Sequence, residues 1–202
     1  MFSKIYKNGT YKTWYNKENT KLNTIETWKY NKLHGRYIKY YYTSNERNNI
    51  MYDMNYKYGK LCGSFIKYYD TLDGHSKIMY HTRYLNGKEN GLRLSYNDNG
   101  ILLLQNEYID GNKNGHQIYY HTNGKKYIIS YYKDNQLNGP MIKYFNNNNN
   151  SIQEKSNYNN NVLKGILEKW NKNGIKLCDE YYENGKFLYR KDYDINGKII
   201  VD

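Results

Sequence analysis

Four lysines recur in one local context. Lys39, Lys67, Lys143 and Lys169 each directly precede an aromatic residue, and in the first three an isoleucine stands just before the lysine. Two further copies of the position carry Ser95 and Tyr119. Ammonium groups repeated at a fixed interval attract polyanions, either phosphodiesters or acidic lipid headgroups. The net charge of +12 over 202 residues points the same way. Tyr37 and Tyr119 interleave the lysines, an arrangement that suits single-stranded nucleic acid. The same lysines would also solubilise a bare sheet face and protect its edges. Both readings stand at this level.

Residues that could do covalent chemistry do not converge. The chain has no phosphate-cradling glycine loop ending in Lys-Ser/Thr, no Gly-x-Ser-x-Gly elbow, no paired-histidine zinc helix and no Cys-x-x-Cys. Its five histidines are scattered, and His116 and His121 have opposite parity on one strand region. Glu107, Asp179 and Glu180 lie beside Tyr108 and Tyr182. They suit cross-strand pairing with lysine better than acid/base work. The expectation is a chain with no catalytic site, no metal site and no cofactor.

The elements that carry the lysines repeat. A leading Tyr or Trp is followed after three residues by Gly or Asn, after seven by Gly, after twelve by Tyr or Trp, and after sixteen by Gly or Asn. The leading aromatics are Trp28, Tyr56, Tyr84, Tyr108, Tyr132, Tyr158 and Tyr182. The glycines seven residues on are Gly35, Gly63, Gly91, Gly115, Gly139 and Gly165. The aromatics twelve residues on are Tyr40, Tyr68, Tyr96, Tyr120, Tyr144 and Trp170. A fixed period of 20 to 50 residues marks a repeat architecture. Each unit reads as two strands, because Ile38 and Tyr40, or Ile118 and Tyr120, alternate with polar residues. Asn-Gly and Asp-Gly pairs such as Asn86-Gly87 and Asp110-Gly111 supply hairpin turns. The glycines are expected to serve positive φ or close backbone approach, and the aromatics to form a ladder. The lysines fall opposite the Ile/Tyr side, in a row stepping about 10 Å.

The whole chain, 1–202, reads as one repeat domain of about 24 residues per unit. It has a degenerate cap over about 1–27, repeats over 28–181 and a C-terminal cap over 182–202. The opening unit is read from Tyr6, with Lys7-Asn8-Gly9, and lacks the later glycine. The last keeps Gly185 and places Tyr189 where glycine is expected. Insertions fall at Thr43 to Asn49, Thr71 to His75 and Asn146 to Asn150, where loops are expected.

The run Tyr84-Leu85-Asn86-Gly87-Lys88-Glu89-Asn90-Gly91 and its copies, each followed by a tyrosine and a turn, resemble the MORN repeat family. The variant of that family in antitoxin-like bacterial proteins and giant-virus proteins is the nearer likeness. The resemblance covers about the whole chain. It implies successive β-hairpins in one elongated, twisted, single-layer antiparallel sheet, an all-β fold. The departures are Asn135 and Asn161 in place of the first glycine, and Glu168 in place of the apolar residue.

Composition agrees with a thin sheet. The chain has 28 tyrosines and no alanine, so aliphatic core residues are scarce. Tyrosine can cover a sheet with its ring and leave its hydroxyl wet. No apolar leader or transmembrane run is present, and Cys62 and Cys178 lie far apart, which suggests free thiols in a reducing, cytoplasmic compartment. Three functions follow as expectations. The first is a non-enzymatic scaffold that binds another protein. The second is a basic-face binder of nucleic acid or anionic lipid. The third, implied only by the resemblance, is antitoxin-like neutralisation of a partner protein.

Overall fold

The computed structural model describes residues 6–42, 48–72 and 75–200. The described residues form strands, turns and loops, with no helix among them. The chain forms two compact units, Met1–Ile101 and Leu102–Asp202. In the first unit the strands are β1 (Gly9–Trp14), β2 (Leu22–Lys29), β3 (Lys32–Tyr40), β4 (Ile50–Lys57), β5 (Lys60–Tyr68), β6 (Ile78–Leu85), β7 (Lys88–Glu89) and β8 (Gly91–Tyr96). In the second they are β9 (Leu102–Ile109), β10 (Asn112–Tyr120), β11 (Lys126–Lys133), β12 (Gln136–Tyr144), β13 (Ile152–Asn159), β14 (Val162–Leu163), β15 (Gly165–Trp170), β16 (Lys176–Glu183), β17 (Lys186–Tyr193) and β18 (Ile199–Ile200). Within each unit the strands pair antiparallel in chain order, as consecutive hairpins.

Among the described residues, seven hairpins close through two-residue turns in which both residues have positive φ. The pairs are Tyr30-Asn31, Tyr58-Gly59, Asn86-Gly87, Asp110-Gly111, Asp134-Asn135, Asn160-Asn161 and Asn184-Gly185. Positive φ at both positions is what a type I′ turn requires, and its twist matches that of the strands. The tips also stack. Gly59 N–H donates to the Leu33 carbonyl and Gly87 N–H to that of Leu61, both at 2.8 Å. Asn161 N–H meets the Leu137 carbonyl in the same way at 2.8 Å. Asparagine adds a second bond, because Asn161 Oδ1 accepts from Leu137 N–H at 2.7 Å. Asn135 and Asn161 therefore fill the glycine position with a residue that tolerates positive φ and ties two tips together.

The glycine seven residues into each unit has a different role. Across the β2–β3 hairpin, Trp28 opposes Leu33 but Glu26 opposes Tyr37, so β3 holds two extra residues around Gly35. Gly35 has φ +107 and lies opposite Tyr56, the leading aromatic of the next unit. Gly63 faces Tyr84, Gly115 faces Tyr132, Gly139 faces Tyr158 and Gly165 faces Tyr182 in the same manner. The bulge thus sets the register between neighbouring units.

This pattern corrects the reading of the opening unit. Gly9 lies opposite Trp28, so it occupies the bulge-glycine position instead of the hairpin-turn position. Tyr6 is not the leading residue, and its ring instead stacks on Trp28 at 3.9 Å. At the other end, Tyr181 opposes Tyr189 and Tyr182 opposes Phe187, so β17 carries one extra residue instead of two. That shorter bulge explains how tyrosine replaces glycine there. The insertions at Thr43–Asn49 and Thr71–His75 lie partly outside the described residues. The Asn146–Asn150 insertion is a loop closed by Phe145 N–H on the Ser151 carbonyl at 2.9 Å.

Candidate functional site

The register sorts side chains onto two faces. On one face of the first unit a transverse row runs Thr24–Lys39–Tyr52–Lys67–Tyr80–Ser95, each residue directly opposite the next. The row beside it on the same face runs Glu26–Tyr37–Met54–Phe65–Thr82. The other face carries Ile25–Ile38–Asp53–Ile66–His81–Leu94, with Tyr40 and Tyr68 one step on. Lysine and isoleucine positions therefore take opposite faces, as alternation requires.

Lys39 and Lys67 share one row, two strands apart, at about 10 Å. They are half-buried, not fully exposed as a solubilising face would be. The Lys67 ammonium lies over the Tyr52 ring at 5.7 Å, and the Arg93 guanidinium over Tyr80 at 4.9 Å. Tyr52, Phe65 and Tyr80 form a ring cluster, with Phe65 stacked on Tyr80 at 5.5 Å. Burial raises the Tyr37, Tyr56 and Tyr80 phenols above their ordinary range.

The second unit treats its lysines differently. Its row runs Leu104–Tyr119–Ile128–Lys143–Glu154–Lys169–Cys178–Asp192. Glu154 stands between the two lysines. Lys169 Nζ bonds Glu180 Oε1 at 2.7 Å, and Tyr182 donates to Glu180 Oε2 at 3.0 Å. The Lys169 hydrogen bond holds the Glu180 carboxyl below the usual range, against burial, with Tyr182 assisting. The reciprocal bond raises Lys169. Lys143 is half-buried over Tyr127, with 5.7 Å from ammonium to ring.

On the opposite face, Glu168 takes the isoleucine position. Lys155 stands opposite it, and Lys176 bonds it at 2.9 Å. Lys176 also pairs with Asp179 at 2.7 Å. Burial alone would lower the Lys176 ammonium, but its two carboxylate bonds outweigh that and hold it raised. Glu180 therefore serves a cross-strand ion pair, whereas Asp179, on the opposite face, pairs with Lys176 along β16 itself and accepts from the Tyr193 hydroxyl of β17. Glu107 accepts from the His116 N–H at 3.1 Å. His116 packs against Tyr131, and His121 against Tyr127. Cys62 and Cys178 are free thiols, and burial raises that of Cys178.

The aromatic positions Tyr40, Tyr68, Tyr96, Tyr120, Tyr144 and Trp170 lie at the loop ends of their strands, and Tyr40 is the buried one. In the first unit a second set of tyrosines ties down the main chain of this ladder. Tyr15, Tyr41 and Tyr69 hydroxyls donate to the carbonyls of Tyr40, Tyr68 and Tyr96, at 2.7, 2.8 and 2.8 Å. The signal for this was the adjacent pair Trp14-Tyr15, repeated as Tyr40-Tyr41 and Tyr68-Tyr69. No protein family and no curated protein matches this chain.

Proposed function

We propose that this chain is a non-enzymatic, MORN-like repeat scaffold that holds another protein along its hairpin tips. The observation that carries this reading is the stacking of exposed apolar residues on adjacent tips. Tyr30 is 66% exposed, Tyr58 50% and Leu85 50%. Tyr30 and Tyr58 hold the same turn position and Leu85 directly precedes the next turn; the Gly59 and Gly87 main-chain bonds join these turns, which recur on every second strand, at about 10 Å. Ile109, Val162 and Phe187 project from the tip regions of the second unit. Apolar groups held at fixed spacing on a rigid edge lose little freedom on binding and can anchor an extended partner.

The test is capture of a partner from native lysate at low and at high salt, by the wild type and by Y30S/Y58S/L85S. Retention at high salt by the wild type, and loss in a normally folded triple variant, is the expected result. A partner released by salt, or held equally by the variant, would overturn the assignment.

A further inference from the structure

The two lysine pairs are not equivalent, although their sequence contexts match. Among the described residues, no carboxylate lies within ion-pair distance of Lys39 or Lys67. Glu26 and Glu89, carboxylates of that face, have other partners. Glu26 accepts from Thr24 Oγ1 at 2.8 Å and from Trp28 Nε1 at 2.9 Å, and Glu89 pairs with Arg93 at 3.4 Å. In the second unit Glu154 separates Lys143 from Lys169, and Glu180 takes up Lys169. An anion approaching the first unit meets two uncompensated ammonium groups with an aromatic ring between them. One approaching the second meets carboxylates in the same row.

We infer that the Lys39–Tyr52–Lys67 row of the first unit is a binding track for single-stranded nucleic acid, and that the matching row of the second unit is not. Lys39 and Lys67 take phosphates, and Tyr52 between them takes a base against its ring. Phe65 braces Tyr52 from the adjoining strand and is itself backed by the stacked Tyr80 ring, so the Tyr52 ring is held in place before the ligand arrives. A duplex keeps its bases paired and offers this row phosphates alone, whereas an unpaired strand satisfies both kinds of group. This inference does not rest on the scaffold reading, which concerns the hairpin tips.

The test is fluorescence anisotropy of a labelled oligothymidylate of about 16 nucleotides against the full chain. K39Q/K67Q and K143Q/K169Q remove the same charge. If K143Q/K169Q melts, K164Q/K186Q replaces it, since both of those lysines are exposed in the second unit. The expected result is about a tenfold or greater loss for K39Q/K67Q and little change for the second-unit pair. The salt slope should fall by about 1.4 for the first pair, at about 0.7 per contact on a single strand. Tyr52→Leu, which keeps apolar bulk, should weaken binding about tenfold without altering the slope. Equal losses from both lysine pairs would reduce the effect to net charge and overturn the inference. So would equal competition by duplex DNA, unimpaired binding by K39Q/K67Q, or binding to phosphatidylserine vesicles with none to the oligonucleotide.

Discussion

Adding one methyl group at Gly115 should be far more damaging than adding it at Gly165, although both glycines occupy the same repeat position. Gly115 has φ +113 and Gly165 φ +81, so alanine is strained at either site. That strain costs roughly 1–2 kcal/mol. At Gly165 a Cβ would meet nothing within 4 Å. At Gly115 it would overlap the Glu107 carboxylate and sit 3.0 Å from the Glu107 Cβ. The carboxylate can swing aside, at the cost of its bond from the His116 N–H, roughly 1.5–3 kcal/mol for a charged acceptor. The Glu107 Cβ is fixed to the strand and cannot. Gly115→Ala should therefore cost about 2.5–5 kcal/mol in all, and Gly165→Ala about 1–2. For a chain of this length each kcal/mol moves Tm by about 2–4 °C, so the two variants should differ by several degrees in a thermal melt followed by circular dichroism. A cycle with Glu107→Ala locates the cause, because Gly115→Ala in that background should lose the carboxylate part of its cost and keep only the strain and the contact with the Cβ at 107. Equal melting of the two single variants would refute the Glu107 argument. An unchanged Gly165→Ala would refute the positive-φ argument.

Tyr58 holds φ +51 in a turn that favours asparagine, so Tyr58→Asn should raise Tm while weakening retention of a partner by the hairpin tips. Tyr41→Phe removes only the hydroxyl that donates to the Tyr68 carbonyl, and urea denaturation should show a loss of about 0.5–1.5 kcal/mol. Glu180 has a lowered folded pKa, so its contribution is fully present above the unfolded carboxylate value of about 4.3 and is lost as pH falls through the lower folded value. Glu180→Gln should accordingly flatten the acid limb of Tm against pH, and an unchanged limb would refute its role.

The hairpins, their turns and their two faces were legible in the residues alone. Each depends on neighbours a few positions apart. Asn86-Gly87 specifies a turn because both residues accept positive φ, and Ile38-Lys39-Tyr40 specifies two faces because side chains alternate along any strand. The repeat also showed that Lys39, Lys67, Lys143 and Lys169 share an offset. Three things were decided only by the fold, because each depends on register between distant strands. The two-residue bulge at Gly35 and its copies places each glycine opposite the next unit's leading aromatic, and this reassigned Gly9 from turn to bulge. The tyrosine pairs became clasps only when Tyr41 met the Tyr68 carbonyl of the next repeat. The four lysines parted company because Tyr52 stands opposite Lys39 and Lys67, whereas Glu154 stands opposite Lys143 and Lys169. A periodic sequence determines which face a charge occupies. Its opposing residue, and so whether the charge remains available to a ligand, is set by strand pairing.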